Sequence, residues 1–350
     1  MTVHTRWLLA LVGLTFAMLS IGSSAAQQTL PPDLNWILGQ VAQFAPDQLA
    51  AFQTGSVISQ TEASPQDLEA AAVAAVRIAT PKARAADYYR SLITYVDGSV
   101  TLQFGTFSNP PKAADVAALT LESDDISDLK ACQPGRCDVR IGGAGLADIR
   151  TAVDWSAPDA ADRVNAWARQ RIVSYVASYL EQGDAALVSY DDAAKPIGLR
   201  EQWRGIVANS RALAAYAPAL QAYLTGFPRA SLPGARSEIY WDKVRYTGLK
   251  PVNSVTQLIT WVDPQRTDRI AVVQKQIYAS HYYYGSLAVA LFFDDLHDPA
   301  RPACYVVYAN RSRGDLLKGG FGGLKQRLAE MTVKKAAEDT LGQMKRALEQ

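Results

Sequence analysis

The residues best suited to chemistry lie in one short stretch, KQIYASHYYYG, which runs from Lys275 to Gly285. If 270–284 is a strand, alternation places Lys275, Ile277 and His281 on its more apolar face. An ammonium and an imidazole on an apolar floor would suit a lipid-like molecule with an acidic or hydroxylated head. We therefore expect a ligand site made of Lys275, Ile277, Tyr278, His281 and Tyr283. The same residues also fit a paired or edge-exposed set with packing tyrosines.

Burial of this face would have a second consequence, which concerns the charge of the lysine. An ammonium removed from water has a lowered pKa unless a carboxylate lies near it.

No sequence motif for catalysis accompanies this stretch. The G-x-S-x-G and H-E-x-x-H patterns are absent, and beyond residue 26 the only histidines are His281 and His297. We expect no catalytic residue. A hydrolase that uses His281 with a distant carboxylate or serine is an alternative, because catalytic partners are often far apart in sequence.

Metal and cofactor patterns are also incomplete. The run ESDDISDLK lacks the glycine turn and distal glutamate of an EF-hand, so we expect a solvated helix face at Glu122, Asp124, Asp125 and Asp128. His297 lies among turn residues, where we expect solvent rather than a metal shared with Asp294 and Asp295. The segment KGGFGGL lacks both glycine-rich nucleotide fingerprints and indicates a hinge. We expect no metal and no cofactor.

The first 26 residues indicate a secreted or periplasmic protein. A basic start, an apolar run and small residues ending at Ala26 form the three parts of a signal peptide, and the run is short for a membrane span. Its removal takes Arg6 away, so the formal net charge falls from +1 to 0. A neutral chain gives no reason to expect nucleic acid as a partner.

The three cysteines fit an oxidising compartment. Pro134 and Gly135 in CQPGRC supply a chain reversal that predicts a disulfide between Cys132 and Cys137. Cys304 falls in an alternating strand-like run and is expected to be a buried, inert thiol.

Periodicity predicts one α+β domain over 27–350. The alanine-rich segment 70–80 fits a strand or a helix, and we favour a strand because Thr80-Pro81 ends it before a helix. A third strand near 100–107 is followed by a mostly helical insertion, about 113–230, with one long helix ending at Gly183. Five further strand-like runs and a long amphipathic helix complete the chain.

This order of elements resembles the START-like, helix-grip superfamily, with the helical segment as an insertion. The resemblance implies an antiparallel sheet wrapped around a long C-terminal helix, with an apolar cavity between them. The stretches CQPGRCDVRI, VDWSAPDA, KQIYASHYYYGSL and YANRSRGDLLKGGFGGL are similar to ones in secreted bacterial proteins of no assigned activity.

Together these observations predict a non-catalytic protein that binds a hydrophobic or lipid-like small molecule between the sheet and the C-terminal helix. An envelope interaction module that uses the helical insertion is another alternative. Basic residues near the hinge would allow peripheral contact with anionic lipid, although they fit a plain solvated surface as well. These residues are Arg311, Arg313, Lys318, Lys325, Arg327, Lys334 and Lys335.

Overall fold

The computed structural model describes residues 30–64, 68–315 and 322–350. The predicted signal peptide, 1–26, lies outside the described residues, as does the part of the glycine-rich hinge at 316–321. Within the described ranges, no helix combines the length and apolarity that a membrane crossing needs.

Within these ranges ten strands form, and eight of them make one antiparallel sheet. Their bounds are β1 (Ile58–Glu62), β2 (Glu69–Ile78), β3 (Thr101–Thr106), β4 (Ser189–Tyr190), β5 (Ile197–Gly198), β6 (Ala235–Val244), β7 (Val252–Val262), β8 (Arg269–Ala279), β9 (Tyr283–Asp295) and β10 (Ala303–Gly314). The sheet order is β1-β2-β10-β9-β8-β7-β6-β3. The alanine-rich segment is therefore a strand, as favoured, and it is buried along nearly its whole length.

Ten α-helices lie around this sheet in the described chain. They are α1 (Pro32–Trp36), α2 (Pro46–Gln53), α3 (Lys82–Thr94), α4 (Ser123–Ala131), α5 (Gly143–Ala152), α6 (Ala160–Gln182), α7 (Leu199–Asn209), α8 (Arg211–Tyr216), α9 (Pro218–Gly226) and α10 (Gly322–Leu348). The α+β class, the large antiparallel sheet and the C-terminal helix are thus confirmed.

The sheet is covered on both faces, which explains why its central strands are apolar on both sides. On one face, Val176 and Tyr179 of α6 pack with Trp241, Val255 and Ile277 of the strands. Helices α7 and α9 extend this layer over the neighbouring strands. We call this side the α6 face.

The opposite side, which we call the α10 face, is covered by α3 and α10. Leu341, Met344 and Leu348 are buried against β2 and its neighbours. In the first half of this amphipathic helix, by contrast, Leu328 and Met331 are 54% and 64% exposed.

A β-bulge in β8 changes which side chains reach the α6 face. Val255 of β7 lies opposite Tyr278 and Thr256 lies opposite Gln276, so Ile277 is one extra residue. The predicted alternation holds up to Ile277. Strict alternation would place Tyr278 on the α10 face, but after the bulge its side chain lies on the α6 face.

Side chains of the mainly helical segment 113–230 satisfy the backbone of β8 near the bulge. Strand β9 pairs with β8 only as far as Lys275. Further along, Trp203 Nε1 donates to the carbonyl of Gln276 at 3.2 Å, and Tyr175 Oη donates to the carbonyl of Ile277 at 2.6 Å. Each bond satisfies a carbonyl that would otherwise be buried without a partner.

The mainly helical segment 113–230 also contains the predicted disulfide pair. Cys132 and Cys137 lie at disulfide distance, with Cα atoms 4.6 Å apart, across the turn at Gly135. Cys304 is buried on the other side of the molecule, and burial raises the pKa of its thiol to about 12. This agrees with the inert thiol that the sequence predicts.

The acidic run on α4 is not the solvated face that its composition predicts. Asp125 is 1% exposed and accepts from a histidine, while Glu122 pairs with Lys243 and Asp128 pairs with Lys250. Asp124 is exposed as predicted, but the prediction was wrong for Asp125 and missed the ion pairs of Glu122 and Asp128, because these partners lie more than 100 positions away in the chain. His297 is exposed, as expected.

Candidate functional site

A cavity of about 380 Å³ lies on the α6 face, between α6, the segment around 139–142 and the ends of β7 and β8. Binding sites for small molecules typically measure about 300–1,000 Å³ and are mainly apolar with a few polar groups. This cavity lies on the opposite side of the sheet from α10, whereas the sequence analysis expected the ligand between the sheet and that helix.

The wall of the cavity is mostly apolar. Its apolar and aromatic members are Leu121, Leu129, Val139, Ile141, Trp167, Ala168, Ile172, Tyr175, Ala186, Val188 and Tyr278. Tyr175 and Tyr278 meet edge to face with ring centroids 6.2 Å apart, a favourable geometry for two aromatic rings. Their hydroxyls donate to backbone carbonyls, so both rings are held in fixed orientations.

The inner end of the cavity contains a polar group without a partner. Asn253 of β7 is 2% exposed, and neither Oδ1 nor Nδ2 of its carboxamide makes a hydrogen bond to the described residues. Its backbone is held in place, because Ser280 donates to its carbonyl and accepts from its N–H. A buried amide that lacks a partner costs free energy, so this carboxamide is suited to a ligand.

The outer rim is a polar strip along α6. Arg171, Ser174, Ser178 and Gln182 recur every three or four residues, which places them on one line of the helix surface. Arg171 and Ser174 are exposed, and Arg171 forms no ion pair with a described residue. A free cation at the rim would favour a ligand whose outer end is acidic.

Arg140 also lines the cavity, but its charge is balanced by two carboxylates. The guanidinium lies 2.7 Å from Asp315 and 3.5 Å from Asp192, and it stacks 4.3 Å over the ring of Tyr284. Burial acts to lower the pKa of this guanidinium, and the neighbouring carboxylates outweigh it so that the pKa is raised. Arg140 is therefore a fixed part of the wall.

Of the five predicted site residues, the structure places Tyr278 in this cavity. Ile277 is fully buried against α6. Tyr283 begins β9 and lies against Tyr246, with ring centroids 6.0 Å apart, outside the cavity lining.

Lys275 is 1% exposed and is enclosed by α6, α7 and α9. Its ammonium donates to Asp184 and to the carbonyl of Leu224, the latter at 2.9 Å. Burial lowers its pKa, and the charge of Asp184 acts in the opposite direction. Lys275 thus belongs to a closed ion pair rather than to the cavity wall.

Gly183 sets the position of this ion pair by ending α6. Its φ is +58°, and a Cβ there would lie 1.8 Å from the carbonyl oxygen of Phe227. Only glycine allows the chain to turn this closely toward α9, and the turn places Asp184 beside Lys275.

His281 is buried with both ring nitrogens in contact with oxygen atoms. Nε2 lies 2.9 Å from Asp125 Oδ1, and Nδ1 lies 2.9 Å from the carbonyl oxygen of Asp138. Neither nitrogen is directed at the cavity, whose lining does not include His281.

Other observations bear on the remaining expectations. Within 156–225, the helices considered as a partner surface, the described residues include no exposed large apolar side chain. Arg311 is 6% exposed and pairs with Glu69 and Glu62, which removes it from the basic surface expected for lipid contact. Lys334 and Lys335 form pairs along α10.

Sequence reasoning missed the residues that define the cavity. Asn253 lies in a strand whose sequence shows no functional motif. The one available signal was that a polar residue precedes the apolar run VTQLITWV. The strip on α6 was detectable, because its serines and Arg171 recur at helical spacing beside the apolar residues Ile172 and Tyr175.

A scan against protein-family models gives no match, and a search of curated proteins finds no similar sequence.

Proposed function

We propose that this chain is a secreted or periplasmic protein that binds a small, largely apolar molecule in the cavity beneath α6, without catalysis. The observation that carries the proposal is the pairing of an apolar wall with the unpartnered carboxamide of Asn253, which is 2% exposed.

The compartment is supported by two features of the chain. The leader-like residues 1–26 have the three-part composition of a signal peptide. Cys132 and Cys137 lie at disulfide distance, and such pairs persist mainly in oxidising compartments.

The helix-grip resemblance is retained as part of this proposal. An antiparallel sheet that carries the C-terminal helix on one face agrees with it. The position of the cavity is our own addition, because the helical insertion forms a second cover over the other face and the cavity lies beneath that cover.

The polar groups define the chemical class of ligand. A carboxamide offers one acceptor and two donor hydrogens, so Asn253 best matches a head that both donates and accepts, such as an amide or a hydroxyl. The apolar wall would enclose the hydrocarbon part, and Arg171 would favour an acidic group at the rim.

Closing the rim tests this proposal. Ser174→Trp places a large ring over the entrance of the cavity. The concentration of decanoic acid that displaces half of the bound 1-anilinonaphthalene-8-sulfonate should therefore rise at least about ten-fold. Displacement is followed by fluorescence, and thermal melting verifies that the variant is folded.

The matched control is Ala177→Trp on the same helix. Ala177 is exposed and does not line the cavity, so this variant should bind as the parent does. Equal binding by all three proteins would refute the cavity as the binding site.

A second variant separates binding from stability. Asn253→Leu removes a buried amide that has no described partner, so the free energy of unfolding should stay within about 1 kcal/mol of the parent. Decanamide, whose head both donates and accepts, should nevertheless bind about ten-fold more weakly, as measured by titration calorimetry. A large loss of stability without a loss of affinity would assign Asn253 a purely structural role.

A further inference from the structure

A second depression, of about 160 Å³, lies on the α10 face and is separate from the cavity beneath α6. Its lining comes from five neighbouring strands, β6 to β10, together with Tyr246 just beyond β6. We call it the strand groove. No helix residue is among its lining residues, so the side chains of the sheet alone determine its chemistry.

Asp242 of β6 is the only acidic residue in the lining of the groove, which contains no basic residue. Its carboxylate accepts a hydrogen bond from the hydroxyl of Ser254, and it forms no ion pair with a described residue. Burial raises the pKa of this carboxyl to about 6, and no neighbouring cation offsets the effect. The adjacent Lys243 is directed to the other face, where it pairs with Glu122.

Three tyrosines surround the same groove, namely Tyr240, Tyr246 and Tyr308. Tyr240 is held between Phe104, which stacks on it at 5.3 Å, and Gln274, which accepts from its hydroxyl at 2.9 Å. Tyr246 is 36% exposed, so part of its ring is open to a ligand. The faces of aromatic rings attract cations, and a set of rings beside a carboxylate is a recurring way to hold an ammonium group.

Gln276 adds an acceptor to the groove. Its Oε1 is buried and makes no hydrogen bond within the described structure. The ring faces, this carbonyl oxygen and the carboxylate all present negative potential, and the lining supplies no positive charge to balance them.

The cost of Asp242 indicates that it is not present for stability. Asp242 is partly exposed, and a carboxylate that loses part of its hydration without gaining a cation destabilises the folded chain at neutral pH. Asparagine would fill the same space without this cost. Residues that lower the stability of the folded chain are often kept because they serve a function.

From this geometry we infer that the strand groove binds a small organic cation, an amine or quaternary ammonium group, with Asp242 as its counter-charge and the tyrosine rings as its walls. This site goes beyond the proposed binding of an apolar molecule, because it uses the opposite face of the sheet and the opposite chemistry.

Choline and its neutral isostere 3,3-dimethyl-1-butanol provide a direct test. The two molecules have nearly the same shape and differ by one positive charge. Titration calorimetry at pH 8 and low salt should give a dissociation constant for choline that is at least about ten-fold smaller than that for the alcohol. Equal affinities, or no detectable choline binding at millimolar concentration, would overturn the inference.

The charge of Asp242 is tested by Asp242→Asn, which should weaken choline binding about ten-fold or more while the protein stays folded. Asp162→Asn changes the net charge equally at an exposed site on α6 and should bind choline as the parent does. Equal weakening in both variants would show that only net charge matters and would contradict the site.

A pH series on the unaltered protein gives an independent measurement. Choline carries its charge at every pH used, so its affinity should fall about ten-fold between pH 8 and pH 5, as Asp242 takes up a proton. The other titratable groups of the groove are the three tyrosines, and burial raises their pKa values. Glu238, on the same face of β6, is paired with Arg90. An affinity that does not change with pH would reject Asp242 as the counter-charge.

Discussion

Asp184→Leu is expected to lower the free energy of unfolding by about 3–5 kcal/mol, the largest effect that we predict for a single substitution. Asp184 is the only carboxylate that pairs with Lys275 among the described residues, and Lys275 is 1% exposed. Removing it leaves an ammonium enclosed by the rings of Tyr179 and Trp203 and one carbonyl oxygen. Urea unfolding at pH 7 measures the loss.

The double variant Asp184→Leu with Lys275→Met is the control. It replaces the pair by apolar groups and should recover most of the lost stability, because the cost arises from the isolated charge. If the double variant is no more stable than Asp184→Leu alone, the loss comes from packing at the end of α6 instead.

The pH dependence of the single variant follows from the direction of the pKa shift. Burial lowers the pKa of Lys275 in the folded state, so without Asp184 the unfolded state binds the proton more tightly. The stability that is lost at pH 7 should therefore return in part as the pH rises toward the ordinary value of lysine, 10.5. A deficit that stays constant up to pH 9.5 would contradict this account.

Glu69→Gln should lower the free energy of unfolding by about 3 kcal/mol. Glu69 is fully buried at the start of β2, where its carboxylate accepts from Arg311 and lies 3.7 Å from Arg313. It also accepts two bonds of 3.2 Å from Asn209 of α7. Glutamine keeps the shape but leaves the two arginines without their buried counter-charge. Guanidinium unfolding provides the measurement.

Glu62→Gln is the matched control, because Glu62 is the second carboxylate on Arg311. Its side chain is 22% exposed, so water screens its charge and the same substitution should cost about 1 kcal/mol or less. Equal losses for the two variants would show that burial does not determine the strength of these pairs.

Much of the architecture was predictable from local patterns. The stop at Thr80-Pro81 correctly separates β2 from α3, and Gly183 correctly ends α6. These predictions succeed because each depends on residues within a few positions of one another, where backbone sterics and periodicity act.

The site was less predictable, because its contacts join distant parts of the chain. His281 meets Asp125 across 156 positions, and Lys275 meets Asp184 across 91. The composition of each segment gives no indication of these pairings. Alternation also failed beyond Ile277, since an antiparallel strand can accommodate one extra residue without any mark in its sequence.

The bulge at Ile277 makes this part of β8 tolerant of the loss of one residue. Gln276 and Tyr278 lie opposite the consecutive residues Thr256 and Val255, so a chain without Ile277 would pair there as a regular strand and keep Tyr278 on the α6 face. Evolution could therefore gain or lose this single residue without rebuilding the floor of the cavity.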